Sequence, residues 1–321
     1  MLLLLPLAGC ASAEPAPGMA AVPREGFLPG MNDVRIHYRV LGAGPDVVVA
    51  VHGGPGAGIG SILPELRPLA ERFTVVFYDQ RGGGRSELPA DVSRLGADEH
   101  VGDLEAVRVH FGLDRMKVVA LSFGALIAAR YAEEHPERVE RMIYFGATGP
   151  QRAEAARLAR AEGRPDPAAV PAATRERFSA LLRSLMTGST TDPAGDCRKY
   201  EALGRELAAA QGRSVSWKGT SCAMPPEAIR YSFQHTAREG PRSLGDWDFT
   251  GSLGQVRAPL LVIHGAKKPG VEAQAAWARA APHGRLLVLP GHAPSADSPG
   301  RFFAAVETFL GGSWPAGAYR P

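Results

Sequence analysis

Four stretches of the 321-residue sequence carry side chains whose type and spacing could do acyl-transfer chemistry. The first is Ala120-Leu121-Ser122-Phe123-Gly124. A serine hydroxyl becomes a useful nucleophile when it is lifted clear of the chain beside a base. A tight turn does this, and it needs small residues two before and two after the serine because the backbones there come close. Gly124 meets that need, and Ala120 supplies the next-smallest side chain where glycine is commoner. The pentapeptide alone is a weak signal, since a serine capping the following helix would look the same. Its place between a buried apolar run and a helix strengthens the nucleophile reading.

The second stretch is His52-Gly53-Gly54-Pro55-Gly56, directly after another apolar run. A glycine-rich turn there lets a backbone N–H from Gly53 or Gly54 point at the space above Ser122. With the N–H of Phe123 it would form an oxyanion hole. Neither a phosphate-loop pattern nor a dinucleotide fingerprint is present. The third stretch is Pro290-Gly291-His292, near the end of the chain. An imidazole can accept the serine proton and later return it to the leaving group, so His292 is the candidate base. Asp297 and Pro299 read as the cap and first turn of the closing helix. The fourth stretch, Asp79 to Ser86, is rich in polar side chains and reads as bracing for loops beneath the site.

The elements that must hold these residues are legible as short, nearly continuous apolar strands alternating with helices, the pattern of a mostly parallel sheet covered on both faces. Strands are expected at Val34 to Val40 (edge or antiparallel), Asp46 to Val51, Phe73 to Tyr78, Met116 to Leu121, Val139 to Phe145, Pro259 to Ile263 and Arg285 to Leu289. Helices follow Ser122 and close the chain from Arg301 to Leu310. Between Phe145 and Pro259 the strand rhythm stops, and Ala/Arg/Leu helical runs broken by Pro and Gly take over. The expected organisation is an α/β core over 26–148 and 246–321 with a helical cap over 149–245, placed above the carboxyl edge where open α/β sheets bind ligands.

In this order and at these spacings, the motifs resemble the proline iminopeptidase branch of the α/β hydrolases. The resemblance covers roughly Gly26 to Pro315 and is weakest in the cap. It implies the α/β-hydrolase fold with an inserted cap, a Ser–His–acid triad, no metal and no cofactor, and hydrolysis of amide or ester bonds. It also calls for an Asp a few residues after His264-Gly265, where this sequence has Lys268. Between Thr250 and Ala296 the only acidic side chain is Glu272, which becomes the candidate acid from the next helix. The other place for an acid, after Phe145, offers Gly146-Ala147-Thr148-Gly149 and no carboxylate. Three outcomes stay open: Glu272 completes the triad, a Ser–His dyad works slowly, or catalysis is lost and a binding role remains. In the family, acidic cap residues hold the substrate's free amine. Glu201, Glu206, Glu227 and Glu239 are cap carboxylates, but none sits in a matching motif, so a small ester or amide is as well supported as a short peptide.

The 36 basic and 33 acidic residues nearly balance, which argues against a nucleic-acid partner. Met1 to Leu7 is apolar but far shorter than the roughly 20 residues that cross a bilayer. It runs into Leu7-Ala8-Gly9-Cys10 and a Ser/Ala/Pro-rich stretch, which resembles the lipobox of bacterial lipoproteins. The expectation is that residues 1–25 are signal and linker, with lipidation at Cys10, a start codon upstream, and a protein tethered in the cell envelope by its lipid alone. Cys197 and Cys222 then remain as an even pair, either bonded in an oxidising compartment or free.

Overall fold

Runs such as Val47-Val48-Val49-Ala50-Val51 and Thr74-Val75-Val76-Phe77-Tyr78 suit strands covered on both faces, because β-branched and aromatic side chains pack on a pleated surface from either side. In a computed structural model of residues 23–163, 170–213 and 217–321, they do form such strands. Cys10 and the rest of the expected signal lie outside the described residues.

Eight strands make one sheet: β1 (Glu25–Pro29), β2 (Arg35–Leu41), β3 (Val47–Val51), β4 (Thr74–Tyr78), β5 (Met116–Leu121), β6 (Val139–Phe145), β7 (Leu260–Gly265) and β8 (Gly284–Leu289). Their spatial order is β1-β2-β4-β3-β5-β6-β7-β8. β1 with β2 and β2 with β4 are antiparallel, and the remaining pairs are parallel. β1 is absent from the sequence-based expectation. Its Gly, Phe and Pro give no alternation to read, and it exists by pairing with β2, from Glu25 opposite Arg39 to Pro29 opposite Arg35. Because β1 takes the edge, β2 is an inner antiparallel strand.

Two apolar layers sandwich the sheet. On one face, helices Ala97–His110, Gly124–Glu134 and Val271–Ala280 pack against Val49, Val51, Ala120 and Tyr144. On the other, helix Pro299–Leu310 and the short turns after β3 cover Val48, Ala50, Val119 and Ile143. Trp277 is fully buried, and its indole N–H donates to Thr148 O at 2.8 Å. This ties the helix after β7 to the loop after β6.

Between β6 and β7 the described residues are mostly helical, including Ala172–Thr187, Pro193–Ala210 and Pro226–Tyr231. These helices have a small core of their own around Leu185, Cys197, Cys222 and Ile229. They are moored to the loops of the sheet by side chains: Ser232 Oγ donates to Gly56 O at 3.1 Å and Thr236 Oγ1 to Gly82 O at 2.7 Å. Among the described residues, no helix is long and apolar enough to cross a membrane.

Beneath these loops, the polar run after β4 is almost entirely internal. The Asp79 carboxylate accepts from Ile59 N–H at 2.6 Å, Arg85 N–H at 3.0 Å and His37 Nδ1 at 2.7 Å. Arg81 and Asp103 form a fully buried two-pronged pair, both contacts at 2.6 Å, and further guanidinium N–H groups donate to Met31 O and Arg94 O. A buried pair is tolerable when its hydrogen-bonding groups are satisfied, and here each of the three guanidinium nitrogens has a partner.

Candidate active site

The loops that follow β3, β5, β7 and β8 all leave the carboxyl edge of the sheet, and there they meet. Ser122 ends the β5 run with φ = 53°, in the left-handed region that costs a non-glycine residue about 1 kcal/mol. The surroundings hold it there. Its N–H donates to Phe145 O at 3.4 Å, and its carbonyl accepts from Ala125 N–H at 3.1 Å and Thr148 N–H at 3.2 Å. Gly124 shows why the turn needs a residue without a side chain. A Cβ there would sit 2.6 Å from Val51 O and 2.7 Å from His52 O.

The glycine loop after β3 is set by a buried imidazole. Gln80 N–H donates to His52 Nε2 at 3.0 Å, which leaves Nδ1 to carry the proton and donate to Gly53 O at 2.6 Å. Gln80 Nε2 closes the ring by donating to His52 O at 2.7 Å. Burial pushes the His52 pKa down and favours this neutral form. The bond has a directional consequence. The Gly53–Gly54 peptide is trans, so a carbonyl turned toward His52 sends the Gly54 N–H the opposite way. Phe123 precedes helix Gly124–Glu134, so its N–H has no partner within the helix. Two backbone donors are thereby available beside Ser122, and a Cβ on Gly53 would come within 3.0 Å of the Ser122 Cβ.

The loops after β7 and β8 are laced together. Ala266 N–H donates to Leu289 O at 2.7 Å and Lys267 N–H to Gly291 O at 3.0 Å. His264 Nε2 donates to Lys268 O at 2.9 Å, which fixes the backbone of the residue where an acid is called for. His292 follows, and its own N–H, with that of Ala293, donates to one Asp297 oxygen at 2.8 and 3.0 Å. This corrects the expectation for Asp297. It is the last residue of a separate short helix, Pro294–Asp297, the closing helix being capped by Ser298, and its carboxylate folds back onto the His292 loop.

Ser122, His292, Gly53, Gly54 and Lys268 line one cavity of about 350 Å³, with Trp217 on the cap side. Glu272 is not brought there. It lies on the first turn of helix Val271–Ala280 with its side chain 78% exposed and paired to Arg279 at 3.1 Å. The buried face of that helix is Ala273, Gln274, Trp277 and Ala278, and Glu272 and Arg279, seven residues apart, share another face. Phe123 is buried beneath the turn and contributes through its backbone.

The roof of the cavity is the segment from Trp217 to Cys222. Buried Glu65 accepts from Lys218 N–H, while Glu201 accepts from Thr220 Oγ1 at 2.7 Å and Ser221 N–H at 2.8 Å. Thr220 N–H reaches Gly60 O at 3.0 Å, and Cys222 is joined to Cys197 by a disulfide with Cα atoms 5.7 Å apart. Among the described residues, Cys197, Glu201 and Cys222 group their ligand-type atoms within 4.8 Å, but the disulfide removes both thiolates as metal ligands. None of Glu201, Glu206, Glu227 and Glu239 lines the cavity. Two roles lay outside the sequence reading: the reach of Asp297 back to His292, and the hold of Glu65 on the roof. Both depend on chain reversals that leave no spacing pattern.

Comparison with known proteins identifies the family and the fold. Residues 46–296 match the model of the alpha/beta hydrolase fold family. The proline iminopeptidase of Xylella fastidiosa strain Temecula1 is 30% identical over 305 residues, spanning 85% of this chain and 91% of that protein. The proline iminopeptidase of Lactobacillus helveticus is 26% identical over 253 residues, spanning 75% of this chain and 81% of its own. Among solved structures, a proline iminopeptidase from Mycobacterium smegmatis superposes with a TM-score of 0.60 at 23% identity, covering 89% of this chain and 97% of that one, a likeness of fold.

Proposed function

The chain belongs to the α/β hydrolase family, and from that membership we propose that it is a serine hydrolase acting on a small ester or amide through Ser122 and His292. Ser122 Oγ attacks the substrate carbonyl carbon as His292 takes its proton. The carbonyl oxygen, now negative, is received by the N–H groups of Phe123 and Gly54. The tetrahedral species expels its alcohol or amine, which leaves with the proton from His292. A water molecule then repeats the sequence on the acyl-enzyme, giving the acid and freeing Ser122.

The observation that carries this reading is Ser122 in a strained left-handed conformation on the rim of a cavity it shares with His292 and the Gly53-Gly54 turn. Strain of this kind persists where the surroundings impose it, and it gathers at working sites.

The slot for the triad acid holds a cation, and Glu272 faces solvent. Neutralising that acid in a serine protease costs about 10⁴ in rate, or about 5.5 kcal/mol of barrier. Slow turnover as a dyad is therefore the expectation. Lys268 also favours a second reading, a binding protein that has lost catalysis. A fluorophosphonate probe decides between them. Labelling of wild type but not of Ser122→Ala supports the nucleophile, and failure to label wild type, under conditions that label an active relative, leaves the binding role.

We also propose that Cys10 is lipidated and the protein is tethered in the cell envelope. The Leu7-Ala8-Gly9-Cys10 motif supports this, as does the Cys197–Cys222 disulfide, a bond that persists in oxidising compartments. Incorporation of labelled palmitate that Cys10→Ala abolishes is the test.

A further inference from the structure

We infer that the cavity selects substrates that carry a carboxylate on the acyl side, held by the ammonium of Lys268. The inference rests on the serine hydrolase reading and names the class of substrate for that site.

The charge inventory of the cavity wall points one way. Among the described residues that line it, the side chains able to carry charge are Lys268, His264 and His292, and there is no Asp or Glu. The acids in the neighbourhood are committed elsewhere. Asp297 receives the backbone N–H groups of His292 and Ala293. Glu65 and Glu201 receive the N–H and hydroxyl groups of the roof segment. Glu272 is outside with Arg279. No carboxylate lies within ion-pair distance of Lys268 among the described residues.

A free amine entering this space would meet a cation and find no counter-charge. A carboxylate would meet the Lys268 cation, carried on a backbone that His264 pins through Lys268 O at 2.9 Å. It would also approach the positive end of helix Gly124–Glu134. Charges attract more strongly in a partly enclosed cavity than in bulk water, so the preference is set by the site rather than by the overall charge of the protein. Lys268 and Ser122 line the same space of about 350 Å³, which fits a short acyl chain bearing the carboxylate a few bonds from the scissile carbonyl. The residue that removes the triad acid thus supplies the binding charge, and that charge is of the sign opposite to the one a free-amine substrate needs.

The test compares substrates in wild type, Lys268→Met and Lys268→Arg. Hydrolysis is measured for p-nitrophenyl butyrate (neutral), mono-p-nitrophenyl glutarate (anionic) and L-prolyl-p-nitroanilide (free amine). The expected wild-type kcat/KM for the glutarate is at least tenfold that for the butyrate, with the prolyl substrate lowest. In Lys268→Met the glutarate-to-butyrate ratio falls to about one through the glutarate KM, and Lys268→Arg retains a ratio above one. Raising the salt from 0.05 to 0.5 M lowers the wild-type ratio, because the attraction is screened. A wild-type ratio of one or below, or a ratio unmoved in Lys268→Met, overturns the inference. Failure of the underlying reading looks different, since then no ester turns over in a Ser122-dependent way. In that event binding of glutarate monomethyl ester to Ser122→Ala, followed by isothermal titration calorimetry, still tests the charge preference: no binding, or binding equal to that of methyl butyrate, overturns it.

Discussion

Asp297 reaches back five residues to hold His292 by its backbone. One carboxylate oxygen accepts the N–H of His292 at 2.8 Å and that of Ala293 at 3.0 Å. Lys268, where the family resemblance calls for an acid, offers the imidazole no carboxylate to orient its ring. The loop that carries it is set instead from below, through the main chain, and this makes Asp297 a positioning residue.

Removing that hold should misplace the base without emptying the site. In Asp297→Ala, kcat for p-nitrophenyl butyrate is expected to fall by one to two orders of magnitude with KM within about threefold, since a shift of about 1 Å in a reacting group costs about 10². Asp297→Asn keeps an oxygen that can accept both N–H groups and should retain most of the activity. Equal losses in the two variants would show that the carboxylate acts in some other way.

Restoring the acid is the complementary change. Lys268→Asp puts a carboxylate on a backbone already fixed by His264, in a loop bonded to the His292 loop through Ala266 and Lys267. Turnover of the neutral ester should rise at least tenfold, recovering part of the roughly 10⁴ that a triad acid supplies. A rate at or below that of wild type would place the limit elsewhere than in the missing acid.

Acid should weaken the fold through a buried histidine that does not line the cavity. His100 is fully buried, and neither ring nitrogen has a hydrogen-bond partner among the described residues. Burial, and then the nearby Arg81 charge, push its pKa from 6.5 down to about 3. Above pH 6.5 the imidazole is neutral in both folded and unfolded chains. As pH falls from 6.5 toward 3, the unfolded chain takes up a proton that the fold refuses, so stability is lost. Over the range from pH 7.5 to 5 this one group costs about 2 kcal/mol. His100→Leu should lose correspondingly less between those two values in urea unfolding, and an unchanged difference would rule His100 out as the source.

The roof predicts a redox response. The Cys197–Cys222 bond closes a loop with a sequence separation of 25, a constraint on the unfolded chain of about 3.5 kcal/mol in the chain-entropy description. Cys197→Ser/Cys222→Ser should unfold at a lower temperature and show a raised KM, because the bonded segment carries Trp217 and Ser221 onto the cavity. A melting temperature equal to that of wild type under oxidising conditions would discount the clamp.

The parts of this molecule that were legible in the sequence are those whose physics is local. β5 and β6 have the bounds that their apolar runs suggested, and Ser122 stands at the turn between β5 and a helix because a strand, a small residue and a glycine are all short-range signals. β1 was missed because Glu25-Gly26-Phe27-Leu28-Pro29 has no strand pattern of its own and is recruited by β2. The absence of an acid near Lys268 was also plain, being a matter of residue type. The destination of Glu272 was not, since it depends on the phase of a helix whose buried side is set by Trp277. The sequence makes Asp297 look like a cap for a similar reason: the same short carboxylate serves a helix or a neighbouring loop, and in the fold it serves the loop.

The left-handed backbone of Ser122 has one more consequence, for the way such a chain can drift over generations. A glycine at that position would relieve the strained φ and give a fold firmer by up to about 1 kcal/mol, though with no nucleophile. Stability alone therefore pulls the turn away from serine. A lineage that no longer needed the hydroxyl would gain by surrendering it, and this chain has kept it.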